Sequence, residues 1–244
     1  MSLEPTVEEL LFLASQGEKK RITAAKMIRH LPPDVNLDKL FSLIDALSTD
    51  SESLEFSELA ISLASLIENM KPEKVMELME RMLEKPTTKL LLGMILSVSK
   101  IHEIDIDFLA EIIRRLIIDP NPNIRNSALG ALRNNLDLLG KSFLVEIVSD
   151  AFGSDNLDVK EFALTIMLVF KDKIPQNVLS EVLMIAIESE ERIQLKTLET
   201  LEFNLSKRIS RNDLKTLLMK ATNEGSERVK KKAIELANKF RIEI

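Results

Sequence analysis

The chain of 244 residues contains no cysteine, no tryptophan and no tyrosine. Without cysteine there is no disulfide, no thiolate metal site and no cysteine nucleophile. That lack suits a reducing compartment, and a cytoplasmic protein is expected. Glycine is scarce, at six residues, and neither a Gly-rich phosphate loop nor a G-x-S-x-G turn is present. Histidine occurs twice, at His30 and His102, and His102-Glu103 does not have the spacing of a metal-ligand pair. Asp105 and Asp107 are close, but at a helix start they are explained by capping and by the helix dipole. The longest apolar run, from Phe162 to Phe170, falls far short of the roughly 20 residues a membrane span needs. The N-terminus has no basic region followed by an apolar stretch, so no secretory signal is expected. These absences point away from an enzyme, a cofactor, a metal and a membrane.

What is present is a repeat. In the stretch Asp119 to Leu132, Pro120 and Pro122 fit a tight turn followed by a helix start, since neither can sit in a helix interior. Asp119 can accept from the free N–H groups of that first turn. Ile124, Ala128, Ala131 and Leu132 then share one helical face. Sliding this pattern along the chain places Ile124 over Val159, Ile193 and Val229, and backwards over Leu90, Phe56 and Ile22. The gaps are 34, 34, 34, 35, 34 and 36 residues. The small residue at Ala128 recurs at Ala60, Ala163 and Ala233, nearly so at Thr197, and is broken at Lys26 and Met94. A fixed period in this range marks stacked supersecondary units.

The combination of Asp119-Pro120 with Ile124-Arg125, Ala128 and Leu132 resembles the HEAT-repeat (armadillo-like) family of α-solenoids. Val159-Lys160 with Ala163, and Val229-Lys230 with Ala233, carry the same pattern. The resemblance implies an all-α, right-handed superhelix of about seven HEAT-like hairpins. It spans a single domain, 1–244, with repeats near 5–33, 36–70, 72–102, 105–139, 141–173, 175–208 and 210–244. It further implies an inter-repeat ladder of acidic and basic side chains, here Asp119 with Arg125, Lys160, and Glu224 with Lys230. Tetratricopeptide repeats share the period but want Trp and Tyr at set positions, and this chain has neither. Some HEAT-like proteins are DNA glycosylases, whose site resembles an aromatic cleft around an extruded base. Phe is the only aromatic residue here and the net charge is −6.

Charge is uneven along the chain. From Asp34 to Met70 eight acidic residues face Lys39 alone, a net of −7. From Lys207 to Arg241 eleven basic residues face four acidic ones, a net of +7. Arg228, Lys230, Lys231 and Lys232 could hold phosphates, so a nucleic-acid-binding protein is the alternative to a protein scaffold. Opposite charge also allows head-to-tail self-association. Scarce Gln with abundant Glu, Lys and Ile is a bias of heat-adapted proteins.

In a HEAT-like solenoid the second helices line the concave side. The period places Asn126, Gly130, Arg133 and Asp137 there, with Leu92 and Leu96, Leu168 and Leu195 as apolar exceptions. An apolar patch beside Arg133 would suit a partner peptide or helix. The expected function is a non-catalytic scaffold or adaptor holding an unidentified protein partner through Leu92, Leu96, Arg133, Leu168 and Leu195.

Overall fold

A computed structural model describes residues 4–50, 53–99, 104–203 and 205–244. Met1 to Leu3, Glu52, and the His102-Glu103 pair that closes the third expected repeat lie outside them. The described residues form α-helices and two short 3-10 segments, Ile28–His30 and Leu205–Arg208, with no strand among them. The all-α expectation holds. The chain divides into two compact units, Met1–Leu139 and Gly140–Ile244.

The first unit holds α1 (Val7–Ala14), α2 (Glu18–Met27), α3 (Leu37–Leu47), α4 (Leu54–Ile67), α5 (Pro72–Met82), α6 (Pro86–Val98), α7 (Ile106–Ile117) and α8 (122–139). The second holds α9 (141–153), α10 (Leu157–Val169), α11 (Gln176–Ile187), α12 (Glu191–Glu202), α13 (Arg211–Glu224) and α14 (Glu227–Phe240). Helical hydrogen bonding runs from Pro122 to Gly153, but Gly140 breaks it with φ 79° and ψ 169°. That conformation is essentially confined to glycine, so α8 stops and α9 starts there.

Local chemistry sets most helix starts. Thr6 and Glu9 form a reciprocal capping box. Asn36, Ser53, Asp105, Asn156, Ser210 and Ser226 each cap a following helix with a side-chain oxygen. Pro72 and Pro86 occupy the first turns of α5 and α6, where their missing N–H costs nothing.

Substantial packing in each unit joins helices adjacent in sequence or next but one. In the first unit α1 packs on α3, α3 on α5 and α5 on α7, while α2 packs on α4 and α4 on α6. In the second, α11 packs on α13, α10 on α12 and α12 on α14. Odd helices therefore form one layer and even helices another, with the core between them. Leu43, Ile44, Leu63, Leu78, Ile112 and Ile113 are fully buried in the first unit, and Leu164, Leu183, Leu198 and Leu217 in the second. Each such side chain contributes about 1.5–3 kcal/mol by leaving water.

The even layer needs small residues. Ala128, Ala163, Thr197 and Ala233 are fully buried, and Thr197 satisfies its hydroxyl by donating to the Ile193 carbonyl. Between α6 and α8 the approach is closer still. A Cβ placed on Gly93 would lie 2.0 Å from Ser127 Oγ and 2.8 Å from Ser127 Cβ, and one on Gly130 would lie 3.0 Å from Ser97 Cβ. Gly93→Ala should therefore destabilise, because overpacking of about 1–3 kcal/mol exceeds the roughly 1 kcal/mol gained in helix propensity. Urea unfolding of Gly93→Ala, Ser127→Gly and the double variant checks this. The double variant should beat the sum of the singles by about 1 kcal/mol or more. Additive effects would mean that the two helices do not approach this closely.

Candidate partner-binding surface and inter-repeat ladder

The five residues expected to meet a partner differ in exposure. Arg133 is exposed on α8, and Leu168 and Leu195 are half-buried on α10 and α12. Leu195 borders an open cavity of about 470 Å³ ringed by Glu161, Glu191, Arg192, Lys196, Glu199 and Arg228. Leu92 and Leu96 are different: both are fully buried and form core. They are not surface contacts.

The reason is a register shift. The period of 34 equates Leu90 with Ile124. The structure instead equates the helix starts Pro86 and Pro122, which are 36 residues apart, and so pairs Thr88 with Ile124. Thr88 is fully buried, with its hydroxyl donating to the Met82 and Lys85 carbonyls. Each residue advances an α-helix by about 100°. A two-residue slip of about 200° turns Leu92 and Leu96 inward and brings Leu90, Met94 and Val98 outward. Leu90 and Met94 are half-buried and Val98 is 56% exposed. The same two-residue slip explains Lys26 in α2: it is exposed, while Ala24, two residues earlier, is fully buried. The solvent-facing side of α6 is thus apolar at i, i+4 and i+8. On α4, Ile61 is 50% exposed and lies on the solvent-facing side. Pro86 matching Pro122 was the sequence signal that identifies these residues.

The residues expected to form a ladder make the following contacts. Asp119 is buried at the turn before α8, where Lys89 Nζ of α6 lies 2.9 Å from its Oδ2. Its Oδ1 accepts from the Asn121 N–H at 2.9 Å. Buried Arg125 donates to the Asp119 and Pro120 carbonyls, both at 2.8 Å, so it pins the same turn through the backbone. Gln194 does likewise with the Ile187 carbonyl at 3.0 Å. Lys160 reaches forward to Glu190 at 3.4 Å. Arg21 reaches forward to Glu55 and to the turn at Ala46 and Thr49. Lys89, Lys160 and Arg21 share one arrangement, a cation in the first turn of an even helix that holds the turn or helix start of the next pair, whereas Arg125 and Gln194 hold the turn of their own pair. Lys230 departs from this, because its ion pair is with Glu227 at 3.8 Å rather than with Glu224.

The basic last pair is largely neutralised within its unit. Arg228 pairs with Glu191 and Lys232 with Glu202 and Glu235, while Lys239 also holds Glu202. Among the described residues no group of three His, Asp or Glu side chains could hold a metal ion, and no helix is long and apolar enough to cross a membrane. Comparison with protein-family models and with curated proteins finds no match to this chain.

Hydrogen bonds from Lys232 and then Lys239, each at 2.8 Å, hold the Glu202 carboxyl down at about 2. A depressed carboxylate stabilises the fold above its unfolded value near 4.5 and loses that contribution as pH falls towards 2. Glu202→Gln should therefore flatten part of the stability loss between about pH 4.5 and 2. Urea midpoints at several pH values check it, and parallel wild-type and variant profiles would rule the clamp out.

Proposed function

We propose that the chain is a non-catalytic scaffold of seven HEAT-like hairpins in a right-handed superhelix, and that it holds a protein partner. The repeat period, the layered packing within each unit and the forward-reaching cations support the solenoid reading. The partner surface is the solvent-facing side of the even helices. The observation that carries it is the apolar line Leu90, Met94 and Val98 on α6, with Ile61 exposed on neighbouring α4. Three apolar positions at helical spacing on an outward face match the way an amphipathic helix or an extended peptide is gripped. Arg133, exposed on α8, supplies a charged contact. Lack of cysteine supports a cytoplasmic setting. The nucleic-acid alternative loses ground, because three of its four cations, Arg228, Lys230 and Lys232, already have carboxylate partners among the described residues and only Lys231 does not.

The test is a pair of outward substitutions, Met94→Glu and Val98→Glu, in one chain. This variant should keep its helical signal and unfold cooperatively, since Val98 is exposed and Met94 is half-buried on the outward face. Affinity capture from the native cell, read by mass spectrometry, should lose the partners held by the wild type. Ile185→Glu, at an exposed position on odd helix α11, should retain them. Capture of the same partners by the Met94→Glu/Val98→Glu protein would refute this surface.

A further inference from the structure

The cations of the last helical pair differ in their partners: Lys220 is held by Glu188, and Lys231 is exposed with no ion pair among the described residues. Arg228, Lys230, Lys232 and Lys239 each have a carboxylate within ion-pair distance. Arg211, Lys215 and Arg241 make no ion pair among the described residues, although they converge on one cavity of about 260 Å³. Asn212, Ile242 and Glu243 complete its lining. With three cations and one carboxylate, the lining has a net charge of +2.

The backbone assembles this cluster. Arg211 and Lys215 stand one turn apart on α13 and both face solvent. At the end of α14 the chain turns left-handed at Arg241, with φ 54°, and the Ile242 N–H donates to the Ala237 carbonyl at 2.9 Å. Ile242 is buried, which anchors the returning segment. The Arg211 guanidinium then donates to the Arg241 carbonyl at 2.6 Å. That bond fixes one side chain at the rim and brings the Arg241 residue to it. Converging like charges repel unless a counter-ion sits between them. Other arginines and lysines of this unit, among them Arg192, Lys220, Arg228 and Lys232, are met by Glu161, Glu188, Glu191 or Glu202. Here the protein provides only Glu243, which lies beyond ion-pair distance of all three.

We propose that this cavity binds a phosphate monoester dianion. Guanidinium groups have planar forks that match phosphate oxygens; the lining holds two arginines, of which Arg211 keeps the N–H groups not spent on the Arg241 carbonyl, and Lys215 adds a mobile point charge. The volume equals that of about nine waters, room for a phosphate and the first atoms of its carrier. The carrier is either a free small phosphate or a phosphorylated side chain on another protein. This site is independent of the α6 surface and uses none of its residues.

The experiment is an amide NMR titration of the full chain at pH 7.5 in about 0.15 M sodium chloride, which screens loose surface attraction. The probes are inorganic phosphate, a phosphoserine heptapeptide and its unphosphorylated form. Both phosphates should saturate shifts at residues 211–215 and 241–243, and the unphosphorylated peptide should not. Lys215→Gln, a change at an exposed position, should weaken phosphate binding about fivefold or more, while Arg228→Gln should leave it within about twofold. Tighter binding of the phosphopeptide than of inorganic phosphate assigns the site to a modified protein; equal or weaker binding assigns it to a free phosphate. Absence of saturable shifts up to about 50 mM phosphate, equal weakening by the two substitutions, or tighter capture of duplex DNA than of the phosphopeptide would overturn the proposal.

Discussion

A two-helix hairpin has two sides and can cover only one of them with its own partner helix. In this protein the remaining side is covered by the hairpin that follows. Within the first unit, α3 packs on both α1 and α5, and α4 on both α2 and α6. Within the second, α12 packs on both α10 and α14. Stability of this kind is a sum of terms between neighbours rather than the property of a common centre. The rest of the structure follows from it. Even helices must come close, hence the buried alanines and the contact of Gly93 with Ser127. Hairpin turns must be held at a fixed height, hence the cations that reach forward from one pair to the next.

The polar part of this arrangement does more than decorate it. Buried Asp119 would be costly without partners. It has Lys89 on one oxygen and the Asn121 N–H on the other. Arg125 takes up the neighbouring carbonyls, which the turn leaves outside any helix. Pairs such as Lys160 with Glu190 are more exposed, and their contribution is correspondingly small. These contacts are therefore strongest where they are most buried, at Arg21 with Glu55 and at the turn into α8. The same economy of charge leaves conspicuous places. On α6 it is an apolar line on the outward face, and between the start of α13 and the end of α14 it is three cations that make no ion pair among the described residues.

Much of this was legible in the sequence. The repeat bounds place helix starts near Pro72, Asp105 and Ser210, and Asp105 is legible as a cap. The special turn at Asp119 was evident from its own residues. What the sequence concealed was rotation. The period gives the rise of the repeat but not the azimuth of each helix, and a slip of two residues reverses a helical face. Leu92 and Leu96 look identical to Leu90 in composition, and only the close approach of α6 to α8 decides which of them meets water. Long side chains were concealed for a related reason. Lys230 has two glutamates within a turn or two of sequence, and it is local geometry that hands it to Glu227. Burial, by contrast, was read well wherever the helix start was unambiguous, as in Ile124, Ala128 and Leu132.

The claim beneath all of this is that cohesion passes from neighbour to neighbour. Amide hydrogen exchange on a Leu43→Ala variant measures it most directly. Leu43 is fully buried on α3, and its truncation should cost about 2 kcal/mol or more. If neighbours carry the stability, exchange in α1, α3, α4 and α5 should quicken by about thirtyfold or more, while α7 and α8 keep their wild-type rates. A uniform acceleration from α1 to α8 would mean that the unit is held by one shared core, and the account would fail.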